Sequence, residues 1–162
     1  GALPAGARRA MMWTGAGPAG EGAEPMQLKA DEIARIRATM EELKEHREPA
    51  GTSFYENLFR ISPELRPMFR EDMTGQGMKF LSTLAVIVDT IGDEARLDPK
   101  LDELGRDHAA LGVRAEHYAP MREALMATMK QYLGGDFTPE VEAAWERAYG
   151  QIAGRMLAAG GG

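Results

Sequence analysis

The sequence predicts an all-α fold. Apolar residues recur at three- and four-residue spacing in one stretch after another, which places them on one face of a helix. Helix-start and helix-stop residues stand between those stretches. No stretch alternates apolar and polar residues with β-branched enrichment and turn dipeptides at its ends, so no strand is expected. The stretches differ in length and number about six to eight, which is too irregular for a simple up-and-down bundle.

Residues 1–25 are rich in Gly, Ala and Pro and carry Arg8, Arg9, Met11, Met12 and Trp13. They show neither a helical period nor the apolar core of a secretory signal, and read as a flexible extension or an expression remnant. Met26 is the expected natural start, with one domain over 26–159 and a glycine tail at 160–162. A first helix over Asp31 to Arg47 carries Ile33, Ile36, Met40 and Leu43, and Glu48-Pro49-Ala50-Gly51 should end it. Thr52 or Ser53 can cap a second helix bearing Phe54, Tyr55, Leu58, Phe59 and Ile61. Ser62-Pro63-Glu64 opens a single turn with Leu65, Met68 and Phe69.

Arg70 to Gly77 is expected to be a loop or frayed start, loosest at Gly75-Gln76-Gly77. A long helix follows with Phe80, Leu81, Leu84, Ile87, Val88 and Ile91, closed by Gly92. Asp98 and Pro99 then suit the start of a helix that Gly112 ends, with Leu101, Leu104, His108 and Leu111 on one face. Ala115 to Leu133 aligns Tyr118, Met121, Leu125, Met129 and Tyr132, and Gly134-Gly135 breaks it. Thr138-Pro139-Glu140 begins the last helix, which runs through Val141, Trp145, Tyr149, Ile152 and Met156.

The totals exclude several functions. A chain of 162 residues can bury a full-sized core without staples. It has no cysteine, which removes thiolate catalysis, iron–sulfur ligation and cysteine zinc sites and fits a reducing, cytoplasmic location. The net charge of −6, with no basic stripe carrying interleaved aromatics, argues against nucleic acid. The apolar run Phe80 to Ile91 is too short to span a membrane. The three histidines have no zinc-like spacing, and no Gly-rich phosphate loop precedes a helix. Pairs such as Glu41-Glu42 and Glu71-Asp72 read as solvated surface, as does His46, while His117 lies off the apolar face of its helix.

His108 is the exception, an imidazole on an otherwise aliphatic face. It is either a core histidine bonded to a backbone carbonyl or a ligand to a metal. Tyr55 and Gln76 likewise stand where dry faces are expected, with Phe69 between them in the chain.

The order Tyr55, Phe69, Gln76, His108, Tyr118 resembles the globin family, and most closely single-domain bacterial haemoglobins and the globin half of flavohaemoglobins. The resemblance spans about Met26 to Met156. It includes Phe54-Tyr55, Pro63-Glu64-Leu65, the run His108-Ala109-Ala110-Leu111-Gly112-Val113-Arg114-Ala115-Glu116-His117-Tyr118, and Ala144-Trp145-Glu146-Arg147-Ala148-Tyr149-Gly150. It implies a globin fold enclosing haem b, with His108 as the proximal iron ligand and its second ring nitrogen held by a carbonyl near Leu104. Phe69 would pack on the porphyrin, and Tyr55 and Gln76 would donate hydrogen bonds to a bound gas, with Gly75 and Gly77 letting Gln76 swing. Phe80 would narrow the distal pocket, and Val113, Met121 and Leu125 would face the haem. In flavohaemoglobin-like relatives the tyrosine at the place of Tyr118 joins a late glutamate and the proximal histidine in a network. Here the glutamate's place is Gly160, and no carboxylate side chain follows Glu146.

The resemblance therefore implies a haem protein, monomeric or homodimeric, that binds O2, NO and CO reversibly for oxygen transport or scavenging. The alternative is a nitric oxide dioxygenase, which would need an external reductase because the chain stops after the last globin helix. A gas sensor would need a separate output partner. A haem-free helical module gripping a partner with its methionine-rich faces is the remaining class.

Overall fold

The computed structural model describes residues 27–69 and 73–161. The expected extension, Met26, Arg70 to Asp72 and Gly162 lie outside the described residues. Six α-helices are described: α1 Ala30–Lys44, α2 Arg47–Ile61, α3 Met73–Thr90, α4 Glu94–Ala110, α5 Ala115–Leu133 and α6 Pro139–Ala159. A tight 3-10 helix, Pro63–Met68, joins α2 towards α3, and another, Gly134–Asp136, follows α5. No strand occurs among the described residues.

Helix α2 packs on α3 and α5, α1 packs on α6, α3 and α5, and α4 rests chiefly on α6 and less on α3. The α2–α3 crossing is backbone to backbone. A Cβ on Gly77 would lie 2.5 Å from the Gly51 carbonyl carbon, so only glycine fits on either side.

Three boundaries differ from the sequence expectation. Helix α1 ends at Lys44, and α2 begins at Arg47, so Pro49 falls within α2 rather than terminating α1. Pro49 is the third residue of that helix, where its missing N–H has no intrahelical duty. Helix α3 begins at Met73, so Gly75, Gln76 and Gly77 are helical rather than a loop, and Gly77 lies at the close crossing with Gly51. Helix α4 begins at Glu94, placing Pro99 inside it, while Asp98 caps nothing and pairs with Arg155. Leu111, expected to face inward, is 77% exposed because α4 has already ended at Ala110. Gly92 and Gly112 close α3 and α4 at φ +97° and +92°, a conformation costly for any side chain. The Thr138 hydroxyl caps α6 by accepting from the Val141 N–H at 3.2 Å.

The buried apolar residues form two clusters. The larger joins α1, α2, α3, α5 and α6 around Ile36, Leu43, Leu58, Leu81, Met129 and Trp145. The smaller holds Ile87, Leu97, Leu101, Tyr118, Ala153 and Met156. Half-buried apolar side chains fringe both, among them Phe69, Phe80, Leu84 and Met121 on the first and Leu104 and Val113 on the second.

Candidate haem site

Helix α2 brings Tyr55 into an aromatic cluster that the sequence alone did not group. Its ring meets Phe54 at 4.9 Å, Phe69 at 5.2 Å, Phe59 at 6.0 Å and Phe80 at 6.4 Å between centroids. Phe80 lies flat on Phe54, at 4.2 Å and 12°. The Arg66 guanidinium lies over Phe59 at 5.1 Å and donates to the Phe69 carbonyl at 2.7 Å, which fixes that corner. Phe54 and Phe59 were legible only as core residues of α2, because their partners come from other elements.

Among the described residues the Tyr55 hydroxyl makes no hydrogen bond, although the residue is only 8% exposed. Burial pushes its pKa up to about 12, so it is a neutral donor at ordinary pH. Gln76 is half-buried on α3, one turn before Phe80, and its amide is likewise without a partner among the described residues.

On α4, His108 Nδ1 stands 2.8 Å from the Leu104 carbonyl oxygen, the position expected one turn earlier. A carbonyl can only accept, so Nδ1 carries a proton, and the nitrogen left to offer a lone pair is Nε2. Val113 is half-buried and Tyr118 buried in the same small cluster, where burial also raises the Tyr118 pKa. The Tyr149 hydroxyl donates to the Tyr118 carbonyl at 2.8 Å and leaves the Tyr118 hydroxyl unbonded among the described residues. Met121 fringes the first cluster, whereas Leu125 is wholly buried within it.

The predicted residues therefore fall into two groups. Tyr55, Phe69, Phe80, Met121 and Leu125 belong to the first cluster, and Leu104, Val113 and Tyr118 to the second, beside His108. No hydrogen bond or ring contact among the described residues ties Gln76 to Tyr55. A separate groove of about 540 Å³, lined by Ile61, Ser62, Glu64, Leu65, Glu116, His117, Pro120 and Glu123, includes none of them.

The family model described as Globin matches residues 52–156, from the first half of α2 to the last turn of α6. The chain belongs to the globin family. A flavohemoprotein of Bordetella parapertussis is 36% identical to this globin over 133 residues, covering 80% of the chain and 33% of that relative. Flavohemoprotein A of Dictyostelium discoideum is 35% identical over 133 residues, 79% of the chain and 32% of the relative. A Bacillus subtilis flavohemoprotein is 33% identical over 131 residues, 77% and 32%. The chain spans about a third of the length of these curated relatives.

The side chains present fit a haem. Among the described residues no three His, Asp or Glu side chains are grouped to hold a metal ion. One imidazole suits an iron whose remaining equatorial ligands come from a porphyrin. A flat apolar group suits the split core with its half-buried fringes, and a buried hydroxyl with no partner among the described residues suits a polar ligand beside it. No helix of the described residues is long and apolar enough to cross a membrane.

Proposed function

We propose that this globin holds haem b through His108 and binds diatomic gases, O2 first and also CO and NO, reversibly beside Tyr55 and Gln76. The observation that carries this is the His108–Leu104 hydrogen bond, which fixes the tautomer and leaves Nε2 as the free ligand atom. Ferrous haem supplies the bond to the gas. Tyr55 and Gln76 donate hydrogen bonds to it, each worth about 1–3 kcal/mol where water is excluded. Phe69 and Phe80 exclude that water, and the Phe80 ring, braced by Phe54, narrows entry. Leu104, Val113, Met121, Leu125 and Tyr118 complete the apolar surround.

The flavohemoprotein relatives favour a second reading, nitric oxide dioxygenation, in which NO, O2 and one electron from a separate reductase give nitrate. Gly160 weighs against a strongly electron-donating histidine. A Cβ there would lie 2.8 Å from the Gly105 carbonyl oxygen and 2.9 Å from Ala109 Cβ, so the place of the relatives' late glutamate is filled by α4.

Absorption spectra of the purified ferrous protein with and without CO test the binding. The expected result is a haem spectrum that CO shifts and that His108→Ala abolishes while helicity stays. A folded wild-type chain that refuses added haem would overturn it. With a supplied reductase, sustained nitrate formation supports the dioxygenase, and a single stoichiometric burst supports the carrier.

A further inference from the structure

We propose that Arg155 on α6 is the positioning residue of His108, acting as a splint that holds α4 in register. This inference rests on haem binding at His108.

Helix α4 has few partners, and α6 is the main one. Asp98, Asp102, Gly105 and Ala109 succeed one another at intervals of four, three and four, a single stripe along α4. The Arg155 guanidinium grips the first two. Nε donates to Asp102 Oδ1 at 3.0 Å, Nη2 to Asp102 Oδ2 at 3.3 Å, and Nη1 reaches Asp98 Oδ1 at 3.4 Å. Its side chain is 19% exposed and those of Asp102 and Asp98 are 34% and 36%, so these ion pairs are partly shielded from water.

The next turns of the stripe have no such grip. A Cβ on Gly105 would run into the Met156 carbonyl, and Gly160 abuts the Gly105 carbonyl and Ala109. Backbone pressed on backbone brings the helices close there, and the apolar packing of Leu97 and Leu101 with Ala153 and Met156 is non-directional. The fork from Arg155 is the directional contact, since guanidinium geometry fixes two carboxylates at once.

It also bridges the weak point of α4. Pro99 lies between Asp98 and Asp102, and its ring nitrogen has no hydrogen to give the carbonyl four residues back. Arg155 ties together the residues on either side of that interruption. Leu104, whose carbonyl orients His108, follows two residues after Asp102. A shift of α4 against α6 therefore carries the imidazole with it.

The test uses the haem-loaded chain and Arg155→Met, with Arg35→Met as a control that removes the exposed Arg35–Asp31 pair of α1. Three quantities are read: the iron–histidine stretching band of the ferrous ligand-free protein, the rate of haem transfer to apomyoglobin, and amide exchange along α4. In Arg155→Met the band should broaden and shift. Haem loss and α4 exchange should each rise about tenfold, the scale for losing hydrogen bonds between charged groups, with α5 exchange unchanged. Arg155→Lys should recover only part, because a point charge cannot hold both carboxylates in a fork. Arg35→Met should change none of the three. If Arg155→Met fails to fold, Asp98→Asn removes one arm and carries the same comparison.

A wild-type band and haem-loss rate in a folded Arg155→Met protein would overturn the splint, as would exchange that rises equally in every helix. A wild-type chain without haem would overturn the haem binding itself, and that result precedes any variant.

Discussion

Trp145 and Tyr55 are both aromatic side chains with a polar handle, 3% and 8% exposed, yet their surroundings treat them oppositely. On the α1–α6 seam, Trp145 Nε1 donates to Thr39 Oγ1 at 2.7 Å, and Thr39 donates in turn to the Arg35 or Ile36 carbonyl. The α2–α5 seam is equally satisfied. Ser53 shares a hydrogen bond with Tyr132 at 2.8 Å, and Asn57 donates to Thr128, which donates to the Ala124 carbonyl. Around Tyr55 the rings close in but no polar partner follows among the described residues, and the Gln76 amide is in the same condition. Buried polar groups are costly when unpaired. The contrast between the paired seams and the Tyr55 region, open among the described residues, supports the gas site proposed at Tyr55.

The Tyr55 region rests on the Gly51–Gly77 crossing of α2 and α3, and breaking that crossing should have the largest effect. Gly77→Val forces α2 and α3 apart, since the new side chain would meet the Gly51 backbone. A loss of about 3 kcal/mol or more is expected. Denaturant unfolding should show it, and haem uptake should fall with it, because Gln76 and Phe80 flank the crossing on α3. A variant of wild-type stability would mean that the helices part without cost.

Thr39→Val acts on the satisfied region alone. It keeps the volume but strands the Trp145 N–H in the core, at a cost of about 1–3 kcal/mol. The urea midpoint should drop while the CO spectrum stays unchanged. A shifted spectrum would show that the seam and the site are not separable.

The same contrast governs what the sequence made legible. Helical period gave every α-helix, because each buries one apolar stripe, and the Leu104–His108 hydrogen bond follows from a spacing of one turn. Helix starts were less legible. Pro49 and Pro99 read locally as boundaries, but a proline in the first turn costs nothing, and Pro99 is tolerated in an interior that tertiary contacts brace. The Gly51–Gly77 crossing, the aromatic cluster around Tyr55 and the grip of Arg155 on Asp98 and Asp102 all join residues far apart in the chain, and no local spacing encodes them. Gly160 shows both sides. Its lack of a carboxylate could be read directly, but its close approach to Gly105 and Ala109 of α4 could not.

The smallest stability effect sharpens the comparison most, because its sign is reversed. Tyr55→Phe removes a buried hydroxyl that has no hydrogen-bond partner among the described residues, so the ligand-free chain should gain about 1 kcal/mol rather than lose it. The same change should speed O2 release from the haem-loaded protein, so stability and gas retention move in opposite directions. Alkaline unfolding supplies a second measure. The folded-state pKa of Tyr55, about 12, exceeds its ordinary value of 10.0, so the unfolded chain gives up this proton first. The stabilisation tied to the neutral hydroxyl is whole below pH 10 and is lost as the pH rises through about 12, a decline on the order of 2 kcal/mol. Tyr118 and Tyr149 are raised by burial too, so Tyr55→Phe should flatten the decline without abolishing it. If the variant is instead destabilised at neutral pH, the Tyr55 hydroxyl has a partner in solution, and the open region is as satisfied as the seam around Trp145.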